Sequence, residues 1–166
     1  MALLRYIGQW RNNAKEALDR TMIVVKFLCL LHVTDTYLCS PTIVYGPSML
    51  PTFNLTGDVV LVDYISHRLG RVGPGDIVLV RSPENPRRMV VKRILAMGGD
   101  TITFQVDPRN SERCRTIVVP KGHVWIQGDN IYLSKDSRSF GPVPYGLIKG
   151  KVYSRVWPPN GFGFLE

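Results

Sequence analysis

The sequence predicts a mainly β fold, a single compact domain of twisted antiparallel sheet preceded by a helical segment. Short runs of β-branched and apolar residues recur beyond residue 40, as in Asp58-Val59-Val60-Leu61-Val62-Asp63 and Asp76-Ile77-Val78-Leu79-Val80. Twelve prolines and fifteen glycines are spread along the chain, the mark of many turns. No apolar repeat of helical period extends over this region. With 166 residues and 45% hydrophobic content, the chain has the size of one ordinary domain and the means to build a core. That composition excludes a disordered chain.

Taken in order, residues 1–40 form an N-terminal basic segment and residues 41–166 the β domain. The first twenty residues set Arg5, Arg11, Lys15 and Arg20 among Leu3, Leu4, Ile7 and Trp10. An apolar stretch follows from Met22 to Leu38, interrupted by Lys26, His32 and Asp35. By hydropathy it fits a single membrane span, the core of a signal peptide, or an amphipathic helix. Basic residues on its N-terminal flank favour retaining that end inside, with the C-terminal domain across the membrane.

The expected strands are Val59–Tyr64, Ile77–Arg81, Met89–Ala96, Thr101–Val106, Thr116–Val119, His123–Gln127 and Lys151–Trp157. Gly57-Asp58, Gly75-Asp76, Gly99-Asp100 and Gly128-Asp129 punctuate them, glycine supplying positive φ and aspartate bonding the turn backbone. Residues 107–115 read as an exposed polar loop.

The formal net charge is +8. Its basic residues are scattered, with no run of five, so nucleic-acid binding is not expected. Cys29, Cys39 and Cys114 are odd in number and widely spaced, which fits neither a disulfide framework nor a metal site. Asn54-Leu55-Thr56 matches a glycosylation sequon, read here as a chance match.

Three segments can carry chemistry. In Gly46-Pro47-Ser48-Met49-Leu50-Pro51-Thr52, two prolines restrain the backbone around a serine, whose hydroxyl needs a fixed position and a nearby base to act as a nucleophile. In an extended Val90–Ile94, Lys92 shares a face with two β-branched neighbours. Burial there would lower its pKa toward the range of a general base, while Arg93 points the other way and reads as surface. In Ser134-Lys135-Asp136-Ser137-Arg138, after Gly128-Asp129-Asn130, a serine can orient an amine while Asp136 and Arg138 pair. Each segment alone also fits an ordinary turn, edge strand or polar loop.

Together and in this order they resemble the type I signal peptidase family of Ser–Lys proteases. The serine motif matches Gly46–Thr52, the lysine motif Lys92–Asp100, and the third motif Gly128–Asn130 with Ser134–Arg138. Gly75-Asp76-Ile77-Val78 fits a fourth, structural motif. The resemblance implies a signal-peptidase-like fold with an N-terminal membrane anchor, Ser48 as nucleophile and Lys92 as general base. It implies supporting roles for Ser134, Asp136, Arg138 and Asp129, and places the oxyanion and substrate-binding positions at Gly46, Ser48 and Met49. Many bacterial members have a serine where Gly46 stands, so the backbone N–H of Ser48 is the donor left to the oxyanion. Neither cofactor nor metal is implied.

The segments His123–Asn130, Gly141–Ile148 and Gly161–Leu165 are most similar to the mitochondrial inner-membrane branch of the family. That branch implies an inner-membrane location facing the intermembrane space. It also implies precursor proteins with cleavable sorting signals as substrates, membrane lipid as surroundings, and a second related peptidase subunit in a heterodimer. A bacterial or plastid leader peptidase, or a non-catalytic partner subunit, is the alternative.

Overall fold

The computed structural model describes residues 2–165 except Thr56, Pro108 and Arg109. Thr56 of the sequon therefore lies outside the described residues, but Asn54 is engaged, its backbone and side-chain N–H groups both donating to Asp58.

Neither proline nor glycine interrupts residues 9–38, and the chain there is helical. Helix α1 (Ala2–Val33) runs into a π-helical turn, Thr34–Leu38. Its stretch Asn13–Leu38, 26 residues, is long and apolar enough to cross a membrane. At 1.5 Å per residue it spans about 39 Å, against a hydrocarbon thickness of about 30 Å. Ile23, Phe27 and Leu30 are exposed on it, as suits a helix whose surroundings are lipid.

The second unit begins at Leu38. Its strands are β1 (Cys39–Val44), β2 (Asp58–Asp63), β3 (Ile77–Arg81), β4 (Met89–Met97), β5 (Thr101–Asp107), β6 (Asn110–Val118), β7 (His123–Gln127), β8 (Val143–Pro144), β9 (Ile148–Trp157) and β10 (Gly163–Phe164). A four-residue helix, α2 (Ser137–Phe140), follows β7. The main sheet runs β1-β2-β9-β3-β4-β7-β8, with β10 added beside β9, and every pairing is antiparallel. β9 therefore closes the long connection between β2 and β3.

Both faces of β3 are covered. Ile77 and Leu79 join an apolar cluster with Met49, Phe53, Val60 and Val91. Val78 and Val80 join another with Ile94, Val124, Ile126 and Ile148. This alternation sets the faces of β4. Lys92, opposite Val78, sides with the second cluster, and Arg93, opposite Ile77, with the first.

Residues 107–115 are not simply a loop. Strand β6 begins at Asn110 and pairs with β5 as a two-stranded ribbon, Thr103 and Thr116 meeting at their hydroxyls at 2.8 Å. Among the described residues, Ile102, Phe104 and Ile117 of this ribbon pack on the Ala96–Val119–Trp125 cluster. The rest of the ribbon accepts polar residues, which hides the strand pattern.

The Gly-Asp turns also divide. Gly57, Gly75 and Gly99 have φ of 86°, 96° and 103°, while Gly128 is absent from the positive-φ set. Gly128 answers to space instead: an added Cβ would lie 2.2 Å from Ser134 Oγ and 2.3 Å from the Ser48 carbonyl oxygen.

Candidate active site

The serine segment folds as a 3-10 turn, Pro47–Met49, entered through Gly46 at φ 108°. Proline suits the first turn of such a helix, where its missing N–H costs nothing. Met49 is 1% exposed within the first apolar cluster and anchors the turn, leaving Ser48 half-buried beside it. The turn lies against β4. Ser48 borders a cleft of about 420 Å³ shared with Ile43, Tyr45, Leu79, Met89 and Val91.

The three expected oxyanion or substrate positions, Gly46, Ser48 and Met49, all line this cleft, and two of them also have groups engaged elsewhere. The Gly46 N–H donates to the Leu55 carbonyl at 2.7 Å, and the Met49 side chain is in the core. Ser48 N–H sits in the first turn of the 3-10 helix, where backbone donors have no helical acceptor.

Lys92 is 3% exposed in the middle of β4. Burial lowers its pKa from the ordinary 10.5 to about 8; the charge of Asp136 pulls it back up, Arg138 pushes it down, and Asp129 raises it. A substantial share of Lys92 is therefore a neutral amine near physiological pH.

The Ser134–Arg138 segment supplies two of the charges that act on that amine, Asp136 and Arg138. Asp136 is fully buried and caps α2, and Arg138 grips it with Nε at 2.8 Å and Nη2 at 2.9 Å. Gly128 N–H also donates to Asp136 Oδ2 at 3.0 Å, and Ser137 Oγ accepts from Ile126 N–H at 3.0 Å. These bonds fasten the loop to the end of β7. Burial alone would raise the Asp136 pKa, but Arg138 and the Gly128 N–H outweigh it and hold the carboxyl below its usual range. Among the described residues, Ser134 Oγ, buried near Asp136, has no partner at hydrogen-bonding geometry.

Arg93 departs from its reading as a surface residue. Its guanidinium forks onto Asp129 at 2.9 and 3.0 Å and bonds the Gly75 carbonyl at 2.7 Å. Asp129 also accepts from Thr52 Oγ1. Burial pushes the Asp129 carboxyl up, yet Arg93 and Thr52 bring it below its ordinary pKa. Asn130 N–H meanwhile donates to the Ser48 carbonyl at 3.1 Å. Arg155, unassigned from the sequence, braces the next loop through the Thr52 and Gly161 carbonyls at 3.0 and 2.6 Å. Strand alternation placed Arg93 correctly on the other face; the error lay in equating that face with solvent.

The fold thus gathers the three segments foreseen from sequence, joined by Gly128, Asp129 and Asn130. No hydrogen bond connects Ser48 Oγ, Lys92 Nζ and Ser134 Oγ directly among the described residues. Such bonds commonly tighten only when substrate fills the site.

The chain is similar to known proteins along most of its length. The family described as signal peptidase, peptidase S26, matches residues 17–110 and 103–157. The chain belongs to the signal peptidase S26 family. It is 62% identical over its whole length to mitochondrial ATP-independent inner membrane protease subunit 1a of Arabidopsis thaliana, covering 99% of that relative. It is 37% identical to mitochondrial inner membrane protease subunit 1 of Homo sapiens, over 86% of this chain and 84% of the relative. To mitochondrial inner membrane protease subunit 2 of Saccharomyces cerevisiae it is 32% identical, over 91% and 86%. The family read from the four ordered motifs is the one these comparisons show, and the chain is a serine protease of the signal peptidase type.

Proposed function

We propose that this chain is a membrane-anchored endopeptidase of the mitochondrial inner membrane that removes sorting signals from precursor proteins delivered to the intermembrane space. Residues 1–40 are the anchor and residues 41–166 the catalytic domain, which faces the intermembrane space. The basic N-terminal flank of the apolar helix supports that orientation. A second, related subunit completes the enzyme, a reading supported by relatives named as subunits 1 and 2 of one protease.

Ser48 Oγ attacks the scissile carbonyl while neutral Lys92 takes its proton. The oxyanion faces the Ser48 N–H. The Lys92 ammonium then protonates the leaving amine, and an acyl ester remains on Ser48. Water, deprotonated by Lys92, hydrolyses that ester and restores the serine. Ser134 orients the amine, while Asp136, Arg138 and Asp129 shape its surroundings. The observation that carries this reading is Lys92: a lysine 3% exposed, brought to about pKa 8 by burial, on the strand against which the serine turn lies.

The test is cleavage of a precursor by the chain reconstituted in lipid with a companion subunit whose own nucleophile has been removed. Ser48→Ala and Lys92→Ala should each lower turnover at least about a thousandfold. Lys92→Arg should do the same, because guanidinium stays protonated. Near-wild-type cleavage by Ser48→Ala or Lys92→Ala would remove that residue from the mechanism.

A further inference from the structure

We propose that Thr52 is a positioning residue for Ser48, acting through Asp129; this rests on the Ser–Lys reading above. Thr52 closes the serine motif, yet the mechanism assigns it no part. Two polar ties join the serine turn to the turn after β7. One runs from the Asn130 N–H to the Ser48 carbonyl at 3.1 Å, the other from Thr52 Oγ1 to Asp129. The first is backbone and present with any side chain; the second depends on one hydroxyl.

Asp129 is a firm anchor for that hydroxyl. Its two oxygens are held by the Arg93 fork, and Arg93 also bonds the Gly75 carbonyl. A hydroxyl donating to an ionised carboxylate makes a stronger bond than one between neutral groups. The path therefore begins on β4 beside Lys92 and runs through Arg93 and Asp129 to Thr52, four residues beyond Ser48. The strand bearing the base thereby sets the place of the nucleophile through its neighbouring residue. Arg155 holds the Thr52 carbonyl at 3.0 Å, so the side chain and the backbone of Thr52 are each held by a partner.

An effect on Lys92 is the competing route, since the Asp129 charge bears on that amine. The two routes separate by experiment. Without the Thr52 hydroxyl, Asp129 remains ionised against Arg93, so the pH dependence stays in place while the serine loses its alignment.

The test uses the reconstituted two-subunit enzyme and a precursor substrate. Thr52→Val should lower kcat by about ten- to a hundredfold with KM little changed, the scale expected of a misplacement of about 1 Å. The acid limb of its pH profile should not move. Thr52→Ser, which restores the hydroxyl, should stay within about threefold of wild type. In an Asp129→Ala background, which removes both acceptor oxygens, Thr52→Val should cost at most about twofold more, because the route is already cut. Thr52→Ala serves the same comparison if Thr52→Val lowers the melting temperature. Wild-type kcat in Thr52→Val, equal loss in Thr52→Ser, or an undiminished loss in the Asp129→Ala background would each overturn the proposal. Failure of the underlying reading looks different: cleavage would survive Ser48→Ala.

Discussion

The lysine and the serine of this site are held in place by different means. Lys92 sits inside a continuous strand, its position set by the pairing of Val78 with Lys92 and of Gln127 with Arg93. Ser48 sits on a short 3-10 turn between strands, and its ties come from residues far along the chain: Gly128, Asp129 and Asn130. The base inherits its precision from the sheet. The nucleophile depends on a few specific contacts, and the third motif supplies most of them while also building the electrostatic surroundings of the lysine.

The largest effect should come from the lysine side. Asp136→Asn leaves Arg138, whose side chain is 7% exposed, without its counter-charge. Breaking such a buried pair costs about 3–5 kcal/mol, measurable by urea unfolding of the full chain in detergent. Turnover requires neutral Lys92, so activity should rise with pH through about 8 in the wild type. Asp136 is a charge that raises the Lys92 pKa, and removing it should move that limb to lower pH. A limb that stays in place would mean that Asp136 does not reach the lysine electrostatically.

A smaller and different effect should follow on the serine side. Gly128→Ala forces a methyl group against Ser134 Oγ and the Ser48 carbonyl. Overpacking of this kind costs about 1–3 kcal/mol. Turnover should fall with the serine turn displaced, while the acid limb stays near pH 8. A shift of that limb in Gly128→Ala as large as in Asp136→Asn would show that the two regions are not separately controlled.

The smallest effect belongs to a contact between exposed loops. Lys135 and Glu84 meet at 2.7 Å with side chains 66% and 45% exposed. Glu84→Gln should change stability by less than about 0.5 kcal/mol and leave the pH profile unaltered. A larger change would mean that these loops brace the lysine side after all.

Much of this was legible in the amino-acid sequence where periodicity and motif agreed. Ile77–Arg81 and His123–Gln127 match the expected strands residue for residue, because each is a short apolar run ended by a turn or a charge. β9 begins three residues earlier than expected, since Ile148 and Gly150 are buried beside β3. β1 was hidden by Pro41, and β8 and β10 are only two residues long. At the site, the three motifs were visible, and so was the alternation that buries Lys92. Arg93 was read as surface, and Thr52 and Arg155 were given no role of their own, because their partners Asp129, Gly75, Gly161 and the Thr52 carbonyl meet them only in the folded chain. A period of two says that neighbours face apart; it does not say what waits on either side.

That alternation makes β4 behave like a reading frame. Lys92 and Arg93 are consecutive and serve opposite faces, one turned toward Asp136 and the other clasping Asp129. A slip of one residue against β3 would exchange them. The chemistry would then receive a guanidinium unable to release its proton, and Asp129 an ammonium unable to fork. A change of length in the Ser82–Arg88 turn keeps Lys92 and Arg93 on their own faces so long as Val78 remains opposite Lys92. A single residue inserted between Met89 and Lys92 would shift the frame and erase the active site without removing any of its residues.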